Sequence, residues 1–115
     1  MGEATQNASA VSDEYLAAMR GYLRISNTAF DSEITDLVSA ARDDLVLGGV
    51  IPPRAQDESD MLIKRAIGTY VKAEFGLDNE DAEKYKAAYN ELKNRLLVSE
   101  IYHGGRVMLC TGVTL

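Results

Sequence analysis

Between Asp60 and Tyr102 the apolar positions recur every three or four residues, in two runs parted by LDNED, and this rhythm predicts two amphipathic helices. In the second run Ala82, Tyr85, Tyr89, Leu92 and Leu96 keep within a stripe about 80° wide, so that helix has one side to bury. In the first run Leu62, Ile63, Ala66, Ile67, Tyr70 and Val71 sweep a stripe roughly twice as wide. One antiparallel neighbour cannot cover so broad a face. Helix 61–75 is therefore the expected centre of the fold.

Two further helices precede it. Ser12 is a good N-cap, Asp13 and Glu14 face the positive end of the helix dipole, and Val11 can pack on Leu16 as a hydrophobic staple. Tyr15, Leu16, Met19, Tyr22 and Leu23 form the buried side of this first helix. After the turn-rich link RISNTAF, Asp31 or Ser32 can cap a second helix with Ile34, Leu37, Val38, Ala41 and Leu45 on one stripe, ended by Gly48 and Gly49. The stretch GGVIPPRAQDESD then reads as a long loop, because two consecutive prolines lack amide donors. Asp57, Ser59 or Asp60 caps the third helix, which stops at Gly76, and Asp78 or Asn79 caps the fourth. Glu80 with Lys84 and Glu91 with Arg95 are favourable i,i+4 pairs. Beyond Gly104 and Gly105, RVMLCTGVTL is apolar and β-prone, a strand with no partner in its own chain.

The expected fold is all-α: a small bundle of four helices with a flexible N-terminal arm (1–11), a helical domain (12–103), a long loop between helices two and three, and an extended C-terminal tail (104–115). A loop of that length in a small domain is often functional.

Composition narrows the classes of function. A chain of 115 residues with 46% apolar and 26% charged residues is one ordinary globular domain. No apolar run approaches the ~20 residues a membrane span needs, and the start MGEATQNASA has neither a secretory signal pattern nor a myristoylation motif. The expectation is a soluble protein of the cell interior. Cys110 stands alone, which excludes an intramolecular disulfide. The net charge of −6 is uneven: residues 1–60 hold eleven acids and four bases, and residues 61–115 hold seven and eight. That balance opposes sequence-reading DNA binding, which relies on many Lys and Arg contacts to phosphate.

Catalytic chemistry finds little support. His103 sits beside two glycines at a helix end, and pairing it with Cys110 supplies no third, orienting group. The acidic groups Asp43/Asp44, Asp57/Glu58/Asp60 and Asp78/Glu80/Asp81 lack the glycine-centred spacing of a calcium loop. Neither GxxxxGK[ST] nor GxGxxG occurs. No catalytic, cofactor-binding or metal-ligating residue is assigned. Lys64, Arg65, Gly68 and Lys72 share the polar face of the third helix, either as a small cationic strip with a close approach over Gly68 or as a solvated face. Most of the six tyrosines lie on stripes and read as core with the hydroxyl at its edge.

The order of parts resembles the head–tail connector (adaptor) proteins of tailed bacteriophages over residues 12–102. Leu23-Arg24-Ile25, Ala40-Ala41-Arg42, Ile63-Lys64-Arg65-Ala66-Ile67 and Tyr70-Val71-Lys72-Ala73 carry the likeness. These are packing patterns, and none is a catalytic signature. The resemblance implies a non-enzymatic virion subunit, assembled in the host cytoplasm, that forms a ring of twelve copies below the portal protein. The ring would extend the DNA channel without sequence-specific binding and meet a stopper or tail-completion protein. Candidate partner contacts are then Val50, Ile51 and Arg54 in the loop, Lys64, Gly68 and Lys72 on the third helix, and Arg106, Val107, Met108, Leu109 and Val113 in the tail. The competing class is a small protein-binding or regulatory bundle unrelated to virions, working by helix-in-groove contacts.

Overall fold

The computed structural model describes residues 11–76 and 80–104. Every regular element there is helical: α1 (Asp13–Leu23), α2 (Asp31–Gly48), α3 (Pro52–Ala55), α4 (Met61–Glu74), α5 (Ala82–Leu97) and α6 (Glu100–His103). The all-α class is as expected, but the described residues hold six helices where four were expected. Two single turns make the difference. The paired prolines that were expected to keep the 48–60 segment irregular instead open α3, since proline at the first helical positions has its torsion preset and needs no amide donor there. The run 82–102, expected as one helix, breaks at Val98 and Ser99, where Ser99 turns extended (φ −96°, ψ 126°). That break sends α6 back across the start of α4.

Local capping explains most of the boundaries. Ser12 accepts from the Tyr15 amide, and Val11 and Leu16 both pack against the core. Among the three candidate caps of α4 the side chain of Asp60 does the work, accepting from the Leu62 and Ile63 amides at 3.0 and 3.1 Å. The expected cap of α2 is corrected. Phe30 occupies the cap position without a side-chain bond, and Asp31 lies in the first turn, where both its oxygens take Arg20 Nη1 at 2.7 and 2.8 Å. Asp81 holds the cap position of α5, and Asp78 and Asn79, the expected caps, lie outside the described residues. Glu91 and Arg95 form their expected pair at 3.0 Å.

Helix α4 is the centre, packed against α1, α2 and α5. Ile63, Ala66, Ile67 and Val71 are fully buried, against Met19 of α1 and Ile34, Val38, Ala41 and Leu45 of α2, with Tyr89 and Leu96 of α5 closing the other side. Aromatic edges lock the contacts: Tyr70 meets Tyr89 edge-on at 5.1 Å, and Phe30 meets Phe75 at 5.4 Å. Gly68 is buried because the Tyr22 ring of α1 lies on it, so that a Cβ would stand 2.7–2.8 Å from three ring atoms.

Two substitutions check this packing. Ile67→Asp places a carboxylate among apolar side chains and should cost about 4 kcal/mol or more, read by urea unfolding; a soluble, natively stable variant would mean the core lies elsewhere. Gly68→Ala should destabilise the native chain by about 1–3 kcal/mol through overpacking on Tyr22. In a Tyr22→Ala background the same change should become neutral or stabilising, because alanine gains ~1 kcal/mol over glycine within a helix.

Candidate docking surfaces

Three carboxylates from the acidic half of the chain tie the helices together. Glu58 sits between α3 and α4, accepting from the Ser12 amide (3.0 Å), the Ser12 hydroxyl (2.5 Å) and Arg42 Nη2 (3.3 Å), so it joins the start of α1 to α2. Arg42 is only 5% exposed and its guanidinium also lies over the Tyr15 ring. Asp44 of α2 accepts from the Tyr89 hydroxyl (2.5 Å) and Lys93 Nζ (3.0 Å) of α5. Asp60, besides capping α4, accepts the Tyr102 hydroxyl at 3.0–3.1 Å and faces Arg54 at 3.9 Å.

The protonation states follow from these contacts. Partial burial raises the Glu58 and Asp44 carboxyls, but hydrogen bonds from Ser12 and Arg42 to the first, and from Tyr89 and Lys93 to the second, outweigh it and hold both below their ordinary values of 4.5 and 3.8. Burial, and then the bond to Asp44, pushes the Tyr89 phenol far up, so its proton stays on the tyrosine. Burial, followed by the bond to Asp60, also raises the Tyr102 phenol. These are structural ion and hydrogen-bond clusters with their acceptors already engaged.

The expected contact residues separate into three places. Ile51 donates its amide to the Tyr102 carbonyl at 2.7 Å and packs on Gly104, while Arg54 lies 6.0 Å over the Tyr102 ring. The 48–60 segment and the root of the tail are thus one site. Val50 is fully buried and belongs to the core of its own chain. Lys64 lies 5.9 Å from the Tyr15 ring, Gly68 lies beneath Tyr22, and Lys72 lies 4.6 Å over the Tyr85 ring. What approaches Gly68 closely is an aromatic ring of α1. Lys72 joins Arg24, Tyr22 and Tyr85 around an open cleft of about 450 Å³. Arg106, Val107, Met108, Leu109 and Val113 lie outside the described residues, as does Cys110.

One surface escaped sequence reading. Leu62, assigned above to the buried stripe, is 55% exposed, and with Arg65, Leu92, Arg95, Ile101 and Tyr102 it lines a groove of about 350 Å³ whose walls are mainly apolar. The break at Ser99 builds its far wall. The signal available was the width of the α4 stripe, which exceeds what α1, α2 and α5 cover together.

Among the described residues no helix is long and apolar enough to cross a membrane, and no group of three or more His, Cys, Asp or Glu could hold a metal ion. The fold and its surfaces define a small helical protein with open grooves and polar clusters that tie its helices together. The family model described as phage connector protein matches residues 16–103, so the chain belongs to the phage connector family. No curated protein and no solved structure matches. The family is a structural one of the virion, and portal and capsid–tail components are the partners it implies in general.

The Glu58 and Asp44 shifts set an acid limb. A carboxyl depressed on folding contributes stability that is present above its ordinary value and lost as pH falls through its folded value. Stability should therefore fall from about pH 4.5 downward. Glu58→Gln should remove about 1–2 kcal/mol at pH 7 and flatten that limb, as measured by urea unfolding between pH 7 and pH 3.

Proposed function

We propose that the protein is a head–tail connector subunit that forms a ring of twelve copies below the portal, joins capsid to tail and extends the channel through which DNA passes. Membership of the connector family over residues 16–103 is the observation that carries this reading. The site formed by Ile51, Arg54, Asp60 and Tyr102 supports it, because it fixes the point where the tail leaves the body. In this reading residues 106–113 and the exposed side of the 48–60 segment engage portal or stopper, and Asp60 ties α3 to α6 beside them. The excess of acids over bases favours a channel wall along which DNA slides without sticking. Assembly takes place in the host cytoplasm and the mature location is the virion. The alternative, a regulatory bundle unrelated to virions, has no comparable observation behind it.

Removing residues 105–115 tests the role given to the tail. The truncated chain keeps α6, Gly104 and the described contacts of Asp60, so it should keep the helical fold of residues 13–103. It should fail to sediment with portal-bearing heads lacking their own connector, whereas the full chain does so; undiminished docking would reject the tail as the attachment.

A further inference from the structure

The groove between α4, α5 and α6 has a counterpart on the same molecule. Helix α2 turns Glu33, Asp36, Asp43 and Leu47 away from the core, four positions that share one face at helical spacing and are all exposed. That face carries three carboxylates, no cation, and one large apolar side chain at its end: Leu47, 86% exposed. The groove has the reverse character. Its floor and far wall are Leu92 and Ile101, its rim carries Arg65 and Arg95, and among the described residues Arg65 meets no carboxylate of its own chain. Arg95 keeps only the exposed Glu91 pair. Asp43 stands one turn before Leu47, ~6 Å away along the helix, so a leucine seated in the groove brings a carboxylate to the arginine rim.

We propose that Leu47 of one copy enters the groove of the next, with Asp43 set against Arg65 and Arg95. The two surfaces lie on different sides of the bundle: on α2 Leu47 points away from α4, and on α4 Leu62 and Arg65 lie on the flank away from α1. The contact is therefore heterologous, and such contacts propagate head to tail until they close a ring or run on as a filament. Its small area makes each contact weak, so copies hold together only where closure or a template raises the local concentration. The proposal deepens the ring reading and rests on it for the number of copies that close.

Disulfide trapping in a Cys110→Ser background tests it, on the concentrated protein and on protein docked to portal-bearing heads. A mixture of Leu47→Cys and Ile101→Cys copies should form a mixed dimer about tenfold faster than a control mixture in which Glu83→Cys replaces Leu47→Cys, because a specific contact raises effective concentration. The double variant Leu47→Cys/Ile101→Cys should give a ladder of oligomers. A rate equal to the control in both settings, or faster trapping of Leu47→Cys copies with each other, overturns the contact. A third arm keeps native Cys110 beside Ile101→Cys. An intramolecular disulfide there, or trapping of Ile101→Cys to another virion protein, gives the groove a different occupant and also overturns the proposal. Docking is scored separately by sedimentation: docked copies without the mixed disulfide refute this contact alone, and trapped copies that do not dock refute the connector reading alone.

Discussion

The carboxylate of Asp60 is the constraint on which the α3–α6 end of the molecule depends. It closes the amide end of the central helix, where the Leu62 and Ile63 amides have no acceptor within the helix itself. Both of its oxygens also take the Tyr102 hydroxyl and Oδ2 faces Arg54, so α3, α4 and α6 share one carboxylate. Hydrogen bonds to a charged acceptor are roughly twice as strong as neutral ones. This arrangement lets two single-turn helices, which have no stability alone, hold fixed positions at the edge of the bundle.

The long helices were legible because their stripes are long and regular. Ser12, Asp60 and Gly49 mark ends that chemistry alone predicts, and the central role of α4 followed from stripe width. What was not legible depended on partners distant in sequence. Nothing around Ser99 demands a break; the break exists because Tyr102 reaches Asp60 and Ile51, 42 and 51 positions upstream. Phe30 takes the cap position that Asp31 or Ser32 was expected to fill, and Asp31 is instead engaged by Arg20 of α1. Leu62 looks like core by periodicity, and its exposure shows only when the neighbours of α4 are counted. Of the candidate contacts, Ile51 and Arg54 lie against Tyr102 at the root of the tail, whereas Val50 is buried in the core.

Charge is segregated along the chain. The first 60 residues supply Glu58, Asp60 and Asp44, which bond between helices, and also Glu33, Asp36 and Asp43, which are exposed. The second half supplies Lys93 to the Asp44 pair and Arg65 and Arg95 to the surface. A chain that divides its charges in this way presents unlike faces to its surroundings, and unlike faces favour directional association over symmetrical pairing.

The route of the backbone around Tyr102 has a mechanical consequence. Tension applied at Gly104 reaches the Ile51–Tyr102 backbone bond and the Tyr102–Asp60 bonds together, so the load is shared between covalently remote segments and does not peel α6 from α5 one bond at a time. The force passes into the first turn of α4, the most deeply embedded helix. A chain pulled at Gly104 thus transmits strain to the whole body before α6 unravels.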